Sequence, residues 1–180
     1  MNLDPVVANV VMATLAIVFI VGASQKLRDL MSFEVAIEAY ELLPLALVKP
    51  VAISLPVIEL GAGIALLFES TQTIAISVAA VLLLVVTAAV AINLARGHTD
   101  VGCGCGGIED EQLLSWALVI RNLLLMALLG LLLLGTTDRQ TVWFDYVSTA
   151  FATITAYALY VSANQLIANR PRLMTLRRAP

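Results

Sequence analysis

The sequence predicts an all-α integral membrane protein: a four-helix transmembrane bundle, a fifth transmembrane helix and a short interfacial helix, all in one domain over residues 1–180. Three observations predict it. The chain is 61% hydrophobic and 13% charged, where a soluble domain carries about 25% charged residues. Its mean hydropathy is +0.96. Its charges fall between long apolar runs instead of along helix faces, which is the pattern of membrane spans. The net charge of −3, with no basic stripe, excludes a nucleic-acid binder.

Five apolar runs, 5–23, 48–68, 73–95, 113–135 and 147–168, each approach the length of about 20 residues that crosses a hydrocarbon core. The first follows Met1-Asn2-Leu3-Asp4, which has no positive region, and no small-residue cleavage site precedes Gln25, so it reads as a retained helix. Segment 31–43 places Phe33, Ile37, Tyr40 and Leu43 at helical spacing, with Glu34, Glu38 and Glu41 repeating likewise. It is too short to span and reads as an amphipathic surface helix, ended by Pro44. The fifth run is diluted by Ser148, Thr149, Thr153, Thr155, Tyr157 and Tyr160, hydroxyls that can bond backbone or a neighbouring helix. The tail beyond it carries Arg170, Arg172, Arg177 and Arg178 and belongs in water or on anionic headgroups.

The two cysteines, Cys103 and Cys105, sit in a glycine loop before the fourth run, separated by Gly104. Thiols two residues apart close a ring only on an unusual backbone, which glycine permits, and a strained ring suits exchange more than permanent stapling. The start of the following helix favours a thiolate there, whereas Asp100, Glu109, Asp110 and Glu111 oppose it. A passive loop disulfide is the bland alternative. A metal reading would need His98 as third ligand and finds no fourth, so no metal is expected.

Glu59 and Arg121 lie inside apolar runs, at similar depth from one membrane face, and are expected to pair. Such a pair either fixes helix register or, together with Asn93, forms a polar floor beneath the cysteines that relays protons or takes a quinone head group. A quinone is the one cofactor these residues raise. Lys26 and Arg28 end the first run on the cysteine face, as snorkelling anchors or as cations beside a thiolate, and Tyr40 is placed to cover the pocket. Five crossings put eight of the ten basic residues on the cysteine face, which the positive-inside rule assigns to the cytoplasm.

Several strings occur in a telling order: Gly22-Ala23-Ser24-Gln25-Lys26-Leu27-Arg28-Asp29, then Phe33 and Tyr40-Glu41-Leu42-Leu43-Pro44. After them come Leu55-Pro56-Val57-Ile58-Glu59-Leu60-Gly61-Ala62-Gly63, Asn93-Leu94-Ala95-Arg96-Gly97, Cys103-Gly104-Cys105-Gly106-Gly107 and Arg121-Asn122. In this order they resemble the methylamine utilisation family MauE, within the wider DoxX-like membrane proteins. The likeness extends to the bundle of vitamin K epoxide reductases, where a surface helix follows the first span and a cysteine pair opens the fourth. The family motif commonly continues Cys-Gly-Cys-Phe-Gly; here Gly107 follows Gly106 without the phenylalanine, which alters the docking surface and leaves the pair intact.

The resemblance implies a thiol–disulfide oxidoreductase or isomerase of the bacterial inner membrane. Its client would be the precursor of the methylamine dehydrogenase small (beta) subunit, which has many disulfides and a tryptophan-derived quinone, and its partner the thioredoxin-like MauD. It also implies a periplasmic cysteine loop, because disulfides form there, opposite to the face indicated by the charge count. Three other classes compete: a non-catalytic chaperone for the same subunit, a small-molecule transporter built on Glu59 and Arg121, and a quinone-linked DoxX-type subunit.

Overall fold

The computed structural model describes residues 3–98, 101–102, 113–137 and 139–178, with side chains to Asn169. The described residues form six helices: α1 (Pro5–Arg28), α2 (Leu30–Ala39), α3 (Leu45–Ala65), α4 (Gln72–Ala95), α5 (Trp116–Leu132) and α6 (Trp143–Arg178). Among the described residues, α1, α3 and α4 are long and apolar enough to cross a membrane, and α5 is a shorter apolar helix of 17 residues.

Local chemistry sets the helix ends. The Asp4 carboxylate accepts the Val6 N–H at 2.9 Å and Pro5 opens α1, a position where its missing N–H costs nothing. At the other end α1 runs past 23 to Arg28, through residues whose polarity suggests a boundary. Asp29 stops it and starts the next helix: its N–H donates to the Gln25 carbonyl while its carboxylate accepts the Ser32 N–H at 3.1 Å. Hydrogen bonding from Ser32 holds the Asp29 carboxyl below the ordinary carboxylate range. The surface helix thus begins at once and ends at Ala39; Glu41 then takes φ +50°, and Pro44 begins the turn into α3.

The fourth and fifth runs depart most from expectation. α5 starts three residues later than 113, because Gly102 and Leu113 form an antiparallel bridge and the Leu114 N–H donates to the Val101 carbonyl at 3.1 Å. α6 is 36 residues long, about 54 Å at 1.5 Å per residue, well over the roughly 30 Å of a hydrocarbon core. Despite its hydroxyls it packs along α1 as a full member of the bundle.

The main core joins four helices: Leu15, Ala16 and Phe19 of α1, Ala62 of α3 with its C-cap Leu66, Ala75, Ile76 and Ala79 of α4, and Leu125 and Leu129 of α5. A second cluster of Val90, Leu114, Leu118 and Val119 lies toward the α4–α5 connection, with Tyr40, Val101 and Ile167 packed against it. The α1–α3 contact is the most extensive and depends on Gly63. A Cβ there would sit 2.9 Å from Ile20 Cγ1 and 3.1 Å from the Ile20 backbone nitrogen.

At the opposite end the chain entry is tied to the α5–α6 connection. The Leu3 N–H donates to the Gly135 carbonyl and the Thr137 N–H to the Leu3 carbonyl, at 2.9 and 3.0 Å. Arg139 contacts Asp145 at 3.2 Å and Asp4 at 3.5 Å. The Val142 N–H, and then Arg139, hold the Asp145 carboxyl below its usual 3.8.

Two predictions follow from this packing. Gly63→Ala should cost about 1–3 kcal/mol in micellar unfolding, because backbone cannot yield to the new methyl. Gly61→Ala, with open space around it, should instead gain about 0.5–1 kcal/mol of helix stability, and equal effects at both sites would contradict the packing. A depressed carboxylate stabilises the fold above its unfolded pKa and loses that contribution as pH falls through the folded one. The Asp145 contacts should therefore leave the melting temperature flat at about pH 5–8 and lower it only below 3.8, with Asp145→Asn removing that acid-side decline.

Candidate functional site

The end of the bundle that carries the cysteine loop is assembled from the C-terminus of α4, the N-terminus of α5 and the α2 turn. Gly97, at φ +83°, closes α4: its N–H donates to the Leu94 carbonyl and the His98 N–H to the Asn93 carbonyl, at 3.1 and 3.0 Å. This double closure needs a residue in the left-handed region. The chain leaves through Val101 and Gly102 and returns at Leu113, where the bridge closes a stem at the mouth of the loop. Cys103, Gly104 and Cys105 lie between these ends and outside the described residues.

Tyr40 caps α2 and packs against the cluster that supports the stem. Burial pushes its phenol up to about 12, so it stays neutral at physiological pH. Asn93 is fully buried in α4; its amide donates to the Ala89 carbonyl at 3.0 Å, and its Oδ1 finds no partner among the described residues. The same holds for Ser115 Oγ, at the start of α5.

The expected pairing of Glu59 with Arg121 is corrected by the structure. Glu59 pairs with Lys26, Nζ to Oε2 at 2.5 Å, with side-chain exposures of 15% and 8%. Lys26 is therefore not a snorkelling anchor. Its ammonium turns inward because α1 continues to Arg28, and it also lies 5.7 Å from the centre of the Phe33 ring, a cation–π contact that ties α2 to the pair. Arg28, the last residue of α1, stays exposed.

Arg121 is held by amides instead. Its Nε and one terminal nitrogen donate to Asn122 Oδ1 at 3.2 and 3.0 Å, and the other terminal nitrogen donates to Asn164 Oδ1 of α6 at 3.0 Å. Sequence reasoning missed Asn164. Its signal was an amide inside the diluted fifth run, among hydroxyls that can bond their own backbone where an amide reaches across helices.

Two cavities meet at this polar layer. The inner one, about 70 Å³, is bordered by Lys26, Glu59, Arg121 and Asn122 from three helices, so Glu59 and Arg121 share a chamber without touching as a pair. The outer one, about 480 Å³, lies between α2, α3 and α4 and is walled mainly by aliphatic side chains, Phe33 and Tyr40. Asn93 lines neither.

Fold and site define an all-helical membrane protein with an ion pair locked inside its bundle and a stem-closed loop that carries its only two cysteines. Residues 4–135 match the family described as "Methylamine utilisation protein MauE". A MauE protein of Paracoccus denitrificans is 34% identical over 165 residues, 91% of this chain and 89% of that one. MauE of Methylorubrum extorquens is 38% identical over 119 residues, 66% and 64% of the two chains. That of Methylophilus methylotrophus is 42% identical over 102 residues, 57% and 54%. The chain belongs to the MauE family. No solved structure matches it.

The ion pair yields a double-mutant test. Removing one member strands a buried charge, so Lys26→Met or Glu59→Leu should each cost about 3–5 kcal/mol in micellar unfolding. The double variant Lys26→Met/Glu59→Leu should recover most of that loss. Additive costs would show that the two side chains do not depend on one another.

Proposed function

We propose that this chain is a membrane thiol–disulfide oxidoreductase or isomerase of the bacterial inner membrane, serving maturation of the methylamine dehydrogenase small subunit. The reading is carried by one observation: the only two cysteines of the chain flank a single glycine in a loop whose ends are bridged at the mouth of the bundle. Membership of a methylamine utilisation family supports the choice of client. The thioredoxin-like MauD is the proposed redox partner.

In isomerisation, the thiolate of Cys103 or Cys105 attacks a client disulfide, forming a mixed disulfide and releasing a client thiolate. A client thiolate then attacks the mixed disulfide, re-forming a client bond and freeing the cysteine, with no net electron transfer. In oxidation, a client thiolate opens a Cys103–Cys105 disulfide, a second client thiol completes the client bond, and the pair is left reduced. The thioredoxin-like partner then takes its two electrons and two protons. Glycines on both sides of the thiols leave room for a client backbone.

The proposed orientation is periplasmic, where disulfides form. The helical course of α6 bears on this, since it carries the basic tail away from Arg139 and past Asn164 and Ile167 toward the loop end. The cationic tail thus shares the cysteine side, and direct labelling decides between thiol chemistry and the charge rule.

Intact cells treated with a reductant and then with a membrane-impermeant thiol reagent should label Cys103 and Cys105. Labelling only after permeabilisation would place the loop in the cytosol and reject this role. In parallel, Cys103→Ser/Cys105→Ser should abolish correctly bonded small subunit while leaving the membrane protein at its normal level. Full maturation with the double serine variant would instead identify a chaperone.

A further inference from the structure

α6 is held in register against α5 at two levels. Asn164 Oδ1 accepts a hydrogen bond from Arg121, five residues inside α5. Ile167 packs against the cluster of Leu114 and Leu118, which also supports Val101 of the loop stem. The helix thus draws level with the stem near residue 168, and it does not stop there. Residues 170–178 continue it for about 14 Å at 1.5 Å per residue, beside the mouth of the cysteine loop. This arm holds Arg170, Arg172, Arg177 and Arg178. Exposed Trp116, at the start of α5, marks the edge of the hydrocarbon at the same level. A headgroup layer is about 5–8 Å deep, so the far end of the arm outruns the lipid phosphates.

The charges around the mouth are otherwise one-sided. The cysteine end carries Asp29 between α1 and α2, Glu34 and Glu38 on α2, and Glu41 just after it. The loop adds Asp100, Glu109, Asp110 and Glu111. Against these eight acids stand Arg28 at the end of α1, Lys49 in α3 and Arg96 at the cap of α4, with the single histidine, His98, two residues on. The four arginines of the arm change the balance from eight against three to eight against seven. Acidic surroundings disfavour a thiolate, the form that attacks a disulfide, and nearby cations favour it.

We propose that the basic arm of α6 is an electrostatic counterweight at the mouth of the loop, restoring thiolate character to Cys103 and Cys105 against the acids around them. The arginines are positioning residues: they act through their field on the thiols, which carry the chemistry. The inference rests on the reading of the two cysteines as reactive thiols and adds which residues make them so. On the proposed periplasmic side the positive-inside bias works against four arginines, so membrane topology alone gives the arm no role there.

The test is the rate at which reduced protein, in phosphatidylglycerol nanodiscs at low salt, is modified by an anionic and by a cationic methanethiosulfonate. With either reagent the thiolate attacks the thiosulfonate sulfur, forms a mixed disulfide and releases methanesulfinate. The variant Arg170→Gln/Arg172→Gln/Arg177→Gln/Arg178→Gln should lower the anionic-to-cationic rate ratio about tenfold. It should also raise the pH midpoint of modification by about half a unit, the size expected of four charges at roughly 15 Å. Lysines at the same four positions should behave as the native chain does, and so should Arg139→Gln at the opposite end of the bundle. Salt at 1 M should erase the difference between native and glutamine proteins. Thermal unfolding checks that each variant is folded. A folded glutamine variant with the native ratio and midpoint would overturn the proposal, as it would if headgroups held the arginines, and would leave the disulfide role standing. Thiols inert to both reagents in every variant would overturn both readings.

Discussion

An ammonium and a carboxylate held together inside a hydrocarbon-filled bundle constrain everything around them. Lys26 and Glu59 can be there only if each is satisfied, and satisfying them fixes how α1 and α3 meet. Gly22 and Gly63 lie on the α1–α3 contact, one beside the Glu59 carboxylate and the other under the Phe19–Ile20 turn of α1. Close approach of the two helices is thus both a steric and an electrostatic requirement. Small residues are the usual means of bringing membrane helices together, because lipid offers no hydrophobic drive for association. The pair also reaches outward through the Phe33 ring, so a surface helix with little buried area of its own is anchored to the centre.

The two ends of the bundle are built differently. At one, backbone hydrogen bonds from Leu3 and a surface cluster of exposed Asp4 and Arg139 with half-buried Asp145 join the chain entry to the start of α6. Such exposed charges contribute little energy and serve mainly to set position. At the other, covered groups dominate: the half-buried, neutral phenol of Tyr40, the fully enclosed Asn93 and the aliphatic cluster that braces the stem. The polar layer lies below that second end, with α5 and α6 linked across it by Arg121 and Asn164.

Hydropathy alone made the long apolar helices legible, since runs such as 73–95 have no competing explanation in an aqueous fold. The helix ends were less so. Ser24 to Arg28 look like a loop because polarity usually marks the membrane surface, yet an inward ion pair lets the helix carry them. The importance of Glu59 could be read from its position, but not its pairing with Lys26. Depth along a helix is a one-dimensional quantity, and Glu59 had two cations within reach. The direction each side chain takes around its axis decided between them, and spacing from a span boundary does not contain that angle. Asn164 escaped for a related reason, being one polar residue among several on a helix whose inward face was unknown. The cysteine pair was conspicuous as sequence, and its placement lies outside the described residues.

The bridge between Gly102 and Leu113 separates two kinds of evolutionary freedom. Because the strand ends are fastened to each other, the register of α4 against α5 is set before the chain reaches the thiols and restored as soon as it leaves them. What is carried between those anchor points can lengthen or shorten without transmitting strain to the bundle. The loop is in this sense a replaceable cassette on a fixed socket, and a few altered codons there could change what it meets while the membrane scaffold stayed unchanged.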